Sequence, residues 1–440
     1  MSPGGLRKLL SKGAHFPDCR HLGSTFPHTC TATLATGTWP SQHGIVADTW
    51  FDAAADKPVI ASGEALLATT LCEQAAGEDH RVFVVSTDLT SASVFAGTRQ
   101  ARFFWMDDNG QFATLGNTPD WLTNYNQTHP IETHRNANWM AFGARAGAPP
   151  LRVLTYDAQR PKEFLLLYKA SPFAQTALFT FLNELMTRER IGQTPTEDFV
   201  CVLAGSNSLL GYEVGGRSRL ILEMTLHLDR DLETLLNRLS TTPGENAFSL
   251  VLAGGHGAPP EPAAETRARM AVNGEMVAQA VDRVLTAAGS GRVSRYMYPF
   301  LYLDSSGFRD PEPIRVAAGR AALQQPGVAG YYTAGGACST YDGWETRFRN
   351  SFHPKRSGDV ILAYRPEYIE DFGQGRGISY GSLYNYDVRV PLCFYGPQFR
   401  AQVFEGPVES VDVAPTLARV MGIAQPSSAV GRVLGEAFAE

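Results

Sequence analysis

Three short apolar runs rich in β-branched residues stand out along the chain: RVFVVS at 81–86, DFVCVLA at 198–204 and FSLVLA at 248–253. Each is released into a polar or glycine-rich loop, the pattern of strands buried on both faces of a parallel sheet. Between the last two, ILEMTLHLDRDLETLLNRL at 221–239 places Leu222, Met224, Leu226, Leu228, Leu232, Leu235 and Leu236 near helical spacing, with acids and arginines interleaved. That predicts an amphipathic crossover helix in a strand–helix–strand unit. A short helix is expected over 6–13, ending at Gly13, followed by a polar turn and a Thr-rich stretch at 25–38 that reads as a β-compatible loop and helix start. Residues 258–271 are rich in Pro, Ala and Glu and read as the entry to an insertion that runs to about 357. The predicted class is α/β, a mostly parallel central sheet flanked by helices. Ligands bind such sheets at the carboxyl ends of the strands, so the loops after Ser86, Ala204 and Ala253 matter most.

Composition narrows the function classes. The 440 residues are 44% hydrophobic and 19% charged, with 42 Gly and 27 Pro, which fits a globular protein with many loops and excludes wholesale disorder. A net charge of −6 without long runs of like charge gives no footprint for nucleic acid or a membrane surface, leaving a small molecule or a protein as partner. There is no apolar stretch long enough to span a membrane, and MSPGGLRKLLSKGAHF lacks the apolar core of a signal peptide. The compartment stays open. Six scattered cysteines without a C-x-x-C pair read as buried free thiols. His43, in SQHGI, reads as a turn-stabilising residue, and His15, His21 and His28 match no metal-binding spacing.

Several segments then occur in an order that carries a resemblance: ATGTWPSQHGIVADTWFD at 35–52, GSNSLLGYEVG at 205–215, HLDRDLETLL at 227–236, LAGGHGA at 252–258, SFHPKRSGDV at 351–360, ISYGSLYNYDVRVPLCFYG at 378–396 and VDVAPTLARVMGI at 411–423. Together they resemble the alkaline phosphatase superfamily, closest to its phosphate-irrepressible branch beside the type I phosphodiesterases and nucleotide pyrophosphatases. The resemblance implies an alkaline phosphatase-like core over 1–257 and 358–440 with a cap-type insertion at 258–357. It also implies a relative of enzymes that usually work in the cell envelope. The chemistry implied is two-metal phosphoryl transfer, in which a Thr or Ser attacks phosphorus between two zinc ions about 4 Å apart.

Carried over position by position, the resemblance puts Ser208 and Tyr212 where an Asp-x-x-x-His step would supply ligands, Gly255 before His256 where an Asp-His step would, and Tyr380 in place of a further His. Of these only His256 is a ligand type that zinc selects. Nine residues before Thr36, where the nucleophile is implied, stands Pro27; a two-residue deletion would put Thr29 there, with Thr31 as the next choice. The Lys-x-Arg pair and the Asn that would clamp phosphate are replaced by Asp88, Thr90 and Asp48, and the carboxylates of Asp48 and Asp88 repel a phosphate dianion. The family's first strand, with its own metal-binding Asp, would precede residue 6, so Met1 is expected not to be the ancestral start. These substitutions lead to the expectation of a pseudoenzyme without cofactor that keeps a binding or structural role. The alternative is a metal-dependent phosphomonoesterase or phosphodiesterase with a rebuilt site and a Thr nucleophile. Ser208, Tyr212, Gly255, His256 and Tyr380 are expected to meet in one cleft, where Tyr384 and Tyr386 could add aromatic walls.

Overall fold

The computed structural model describes residues 4–98, 101–305, 307–373 and 375–439. The first helix, Gly5–Lys12, buries Leu9, and its Leu6 amide donates to Asp229 Oδ1 at 2.6 Å. At Gly13 a Cβ would stand 2.5 Å from the Phe394 carbonyl and 2.6 Å from that of Leu9, so only glycine lets the helix turn directly into the strand Ala14–Arg20. Sequence reading missed this strand. AHFPDCR hides its buried face, Ala14, Phe16 and Cys19, among His15, Pro17, Asp18 and Arg20.

Two sets of strands make the central layer. In one, Arg81–Ser86 pairs in parallel with both Arg102–Met106 and Asp198–Leu203, and Phe112–Thr114 adds an antiparallel margin. In the other, Arg389–Tyr395 pairs antiparallel with Leu250–Ala253 and with Ala14–Arg20, which takes Gln402–Val403 and Val408–Glu409 in parallel on its other side. Among the described residues Asp198–Leu203 pairs only with Arg81–Ser86, and Leu250–Ala253 only with Arg389–Tyr395. Each therefore keeps one edge without a ladder. Their half-buried Val200, Val202, Leu250 and Leu252 pack against the same hydrophobic core. The expected amphipathic helix forms as Arg219–Leu239, sealing Met224, Leu232, Leu235 and Leu236 against that core, but it joins strands of two different sheets and not parallel neighbours in one.

A further, antiparallel sheet runs in the order Arg292–Met297, Phe300–Asp304, Val360–Tyr364, Val328–Thr333, Cys338–Ser339, within and just beyond the stretch expected to be an insertion. Strand alternation splits its side chains. Leu301, Tyr331 and Leu362 pack with the helices Gly274–Ala287 and Glu312–Leu323, while Phe300, Tyr332 and Ile361 share a core with Ile45, Trp50 and Phe51 of the main layer. Because Val360–Tyr364 is the middle strand of this sheet, the unit reaches past the expected boundary at 357. All six cysteines are free and all but Cys338 are buried. No helix among the described residues is long and apolar enough to cross a membrane.

Candidate functional site

The loop after Leu250–Ala253 carries His256, and Gly257 fixes its course. The Gly257 amide donates to the Asp387 carbonyl at 2.8 Å, and a Cβ on Gly257 would meet the Tyr386 carbonyl oxygen at 1.9 Å. His256 Nδ1 lies 2.7 Å from the Gly257 carbonyl, which can only accept, so the proton sits on Nδ1. Nε2 then offers a lone pair, and the Ser208 hydroxyl, 3.0 Å away in the helix Ser206–Val214, donates to it. Burial holds the His256 pKa below its ordinary value, keeping the ring neutral. Tyr380 donates its hydroxyl to the Ser208 carbonyl at 2.6 Å, and its ring centre stands 4.3 Å from that of His256 and 6.2 Å from that of Tyr212. Burial raises both phenol pKa values, so neither is an anionic donor at neutral pH. A Cβ on Gly255 would touch nothing within 4 Å, so the site has room for a side chain that the sequence does not supply. Ser208, Tyr212, Gly255, His256 and Tyr380 are thus brought together.

A second cluster forms at the start of the helix Pro27–Thr36. Pro27 occupies its first turn, where a missing N–H costs nothing. The next residue, His28, places Nδ1 2.8 Å and its backbone amide 2.9 Å from Asp48 Oδ1, with Nε2 4.0 Å from Asp88 Oδ1. Burial by itself would lower the His28 pKa, but hydrogen bonds to and charge from Asp48 and Asp88 outweigh it and push it up to about 10. The ring is an imidazolium held by two carboxylates. Asp88 also caps the helix Leu89–Ala96 through the Ser91 amide at 2.7 Å, and Thr90 lies in that helix's first turn. Asp48 and His28 both act electrostatically on His256, so the two clusters lie near one another.

Neither candidate nucleophile is presented there as a free hydroxyl. Thr29 is fully buried with no partner for Oγ1, and Thr31 donates to the Pro27 carbonyl at 2.9 Å. The three N-terminal histidines separate: His21 Nδ1 meets the Ser410 hydroxyl at 2.8 Å, His28 is held by acids, and His15 pairs in register with Cys393. His43 bonds Thr33 at 3.1 Å and the Ile45 amide at 3.1 Å, which stabilises its turn.

Two functional-site residues escaped the sequence reading. His28 was legible in principle, since a cation is expected between Asp48 and Asp88. Asp387, fully buried, accepts from Ser382 on Oδ2 while Oδ1 has no partner, and burial raises its pKa to about 7. It lies within the quoted YNYDVRV segment, but nothing in that string distinguishes it from a surface acid.

Among the described residues no group of three or more His, Cys, Asp or Glu is placed to hold a metal ion. At the positions implied for zinc ligands, the neutral Ser208, Tyr212 and Tyr380 and the bare Gly255 surround one imidazole whose lone pair is already engaged by a hydroxyl. This donor set does not fit a zinc pair.

The family model for type I phosphodiesterase / nucleotide pyrophosphatase matches residues 3–369. The chain belongs to that family. Its similarity extends to the alkaline phosphatase PafA of Elizabethkingia meningoseptica, 23% identical over 98% of this chain and 89% of the relative. The alkaline phosphatase PhoV of Synechococcus elongatus is likewise 23% identical, over 98% of this chain and 88% of its own length. In three dimensions the crystal structure of PafA superposes with a TM-score of 0.83 at 20% identity, covering 99% of this chain and 94% of that one. Murine ectonucleotide pyrophosphatase/phosphodiesterase 5 superposes at 0.60 with 13% identity, over the same shares of the two chains. These likenesses carry the alkaline phosphatase-like fold, as expected. They also correct one expectation: the absence of a cofactor does not stand, because this type I phosphodiesterase-family chain has alkaline phosphatases as relatives, and it was for that superfamily that the resemblance implied two zinc ions. The geometry makes a narrower point, that donors for a zinc pair do not occupy the positions from which the resemblance would draw them.

Proposed function

We propose that this member of the phosphodiesterase family uses its strand-end cleft to bind a ligand and does not transfer phosphoryl groups. The observation that carries the reading is the closed set of His28, Asp48 and Asp88 beside Pro27. One imidazolium between two carboxylates leaves a net negative charge where the family clamps an anion, which disfavours a phosphate dianion there. The engaged lone pair of His256 and the neutral phenols of Tyr212 and Tyr380 support a cleft suited to a neutral or cationic hydrogen-bonding ligand.

The experiment is an assay of purified protein against p-nitrophenyl phosphate and bis-p-nitrophenyl phosphate with added zinc, at neutral and alkaline pH, with metal content measured on the same sample. No turnover above the blank is expected. A second reading, a rebuilt phosphatase with a Thr nucleophile, rests on the unpartnered buried hydroxyl of Thr29 next to His28. Metal-dependent turnover that disappears in Thr29→Ala would establish that reading and defeat the first.

A further inference from the structure

Away from the strand ends, the helices Pro172–Arg188 and Arg219–Leu239 and residues 125–143 enclose a cleft of about 770 Å³. That is the size of a small-molecule site, and none of its lining residues belongs to the clusters of His28 and His256. Its walls are rings. Tyr125 stacks on His129 at 4.1 Å, His134 stands 4.9 Å from Phe173, and Phe142 meets His227 edge-on at 5.8 Å.

Donors in this wall include one guanidinium and two ring N–H groups. Arg230 is the one permanent charge among the described lining residues, and its guanidinium donates to His227 Nδ1 at 3.2 Å. With Nδ1 accepting, the neutral ring carries its proton on Nε2, and burial followed by the charge of Arg230 lowers the His227 pKa and keeps it neutral. Nε2 is buried and has no acceptor, and neither does the indole Nε1 of Trp139, a lining side chain only 1% exposed. A buried N–H without an acceptor destabilises a fold by about 1–3 kcal/mol, and a ligand oxygen that reached either group from the cleft would relieve that cost. The neighbouring acids do not fill that role. Glu223 accepts from the Phe142 amide at 2.7 Å, and Asp231 is engaged by Gln175 and Thr176.

We propose that this cleft is a second ligand site, for a small aromatic carboxylate whose ring packs among the aromatic side chains and whose oxygens accept from the Arg230, His227 and Trp139 donors. The test is calorimetric titration of the full chain with 2-naphthoate, with the neutral isostere 2-naphthalenemethanol and with the cation 2-naphthylmethylammonium. 2-Naphthoate is expected to bind, about tenfold or more tighter than the alcohol, the gain of a charge-assisted pair. Arg230 is exposed, so Arg230→Gln should fold normally and bring 2-naphthoate down to the affinity of the alcohol. His227→Phe keeps the ring and should cost a smaller part of the same preference. Absence of 2-naphthoate binding, equal binding of acid and alcohol, preference for the cation, or an affinity indifferent to Arg230→Gln would each overturn the proposal.

Discussion

Asp48 Oδ1 receives two N–H groups of His28, the ring Nδ1 at 2.8 Å and the backbone amide at 2.9 Å, so one carboxylate both charges the imidazole and pins the start of its helix. The folded pKa of His28, about 10, lies above the value of about 6.5 expected in the unfolded chain. A raised pKa stabilises the folded state fully below the unfolded value and loses that contribution as pH rises through the folded one. The destabilisation caused by His28→Gln should therefore be larger at about pH 6 than at about pH 10. Urea denaturation of both proteins at the two pH values measures it; an equal difference at both would rule out a charged His28.

Charge around His28 should decide anion binding. Inorganic phosphate is expected to bind the native protein negligibly, while Asp48→Asn combined with Asp88→Lys should raise its affinity about tenfold or more, since two repelling carboxylates become an amide and an ammonium. The double variant also loses the Asp88 cap and should be about 0.5–2 kcal/mol less stable. Phosphate titration followed by NMR reads the gain, and unchanged affinity would show that this cleft is closed for reasons other than charge.

Tyr380 serves the site through its hydroxyl. Tyr380→Phe removes the 2.6 Å bond to the Ser208 carbonyl while keeping the ring, and losing that hydrogen bond from a carbonyl that still serves its helix should cost about 0.5–1.5 kcal/mol. A chemical denaturation midpoint indistinguishable from the native one would mean that water or a rearranged helix takes over the bond.

Much of the scaffold was legible because it obeys simple periodicities. The runs at 81–86, 198–204 and 248–253 became Arg81–Ser86, Asp198–Leu203 and Leu250–Ala253, and the leucine spacing at 221–239 became Arg219–Leu239. The strand Ala14–Arg20 was illegible because its neighbours in space, Arg389–Tyr395 and Gln402–Val403, lie far along the chain and override a polar, proline-bearing sequence. The grouping of Ser208, Tyr212, Gly255, His256 and Tyr380 could be anticipated from the family resemblance, which implies one site for all five. What could not was the bonding inside it: that Ser208 donates to His256, or that His28 folds back between Asp48 and Asp88, depends on rotamers and approach distances that spacing does not encode.

The strands Asp198–Leu203 and Leu250–Ala253 each support a loop of the cleft, one leading to Ser208 and the other to His256, and each is zipped to a neighbour along one side only. Successive amides of a strand point to opposite sides, so on such a strand every second N–H has no ladder partner. Amide hydrogen exchange should consequently alternate, slow and fast, along residues 199–203, whereas residues 83–86, paired on both sides, should be slow throughout. Uniform slow exchange along 199–203 would mean that something covers that edge. With the alternation present, the floor beneath Ser208 and His256 breathes more than the core around it, and the cleft can widen around an incoming molecule without unravelling the sheet that carries it.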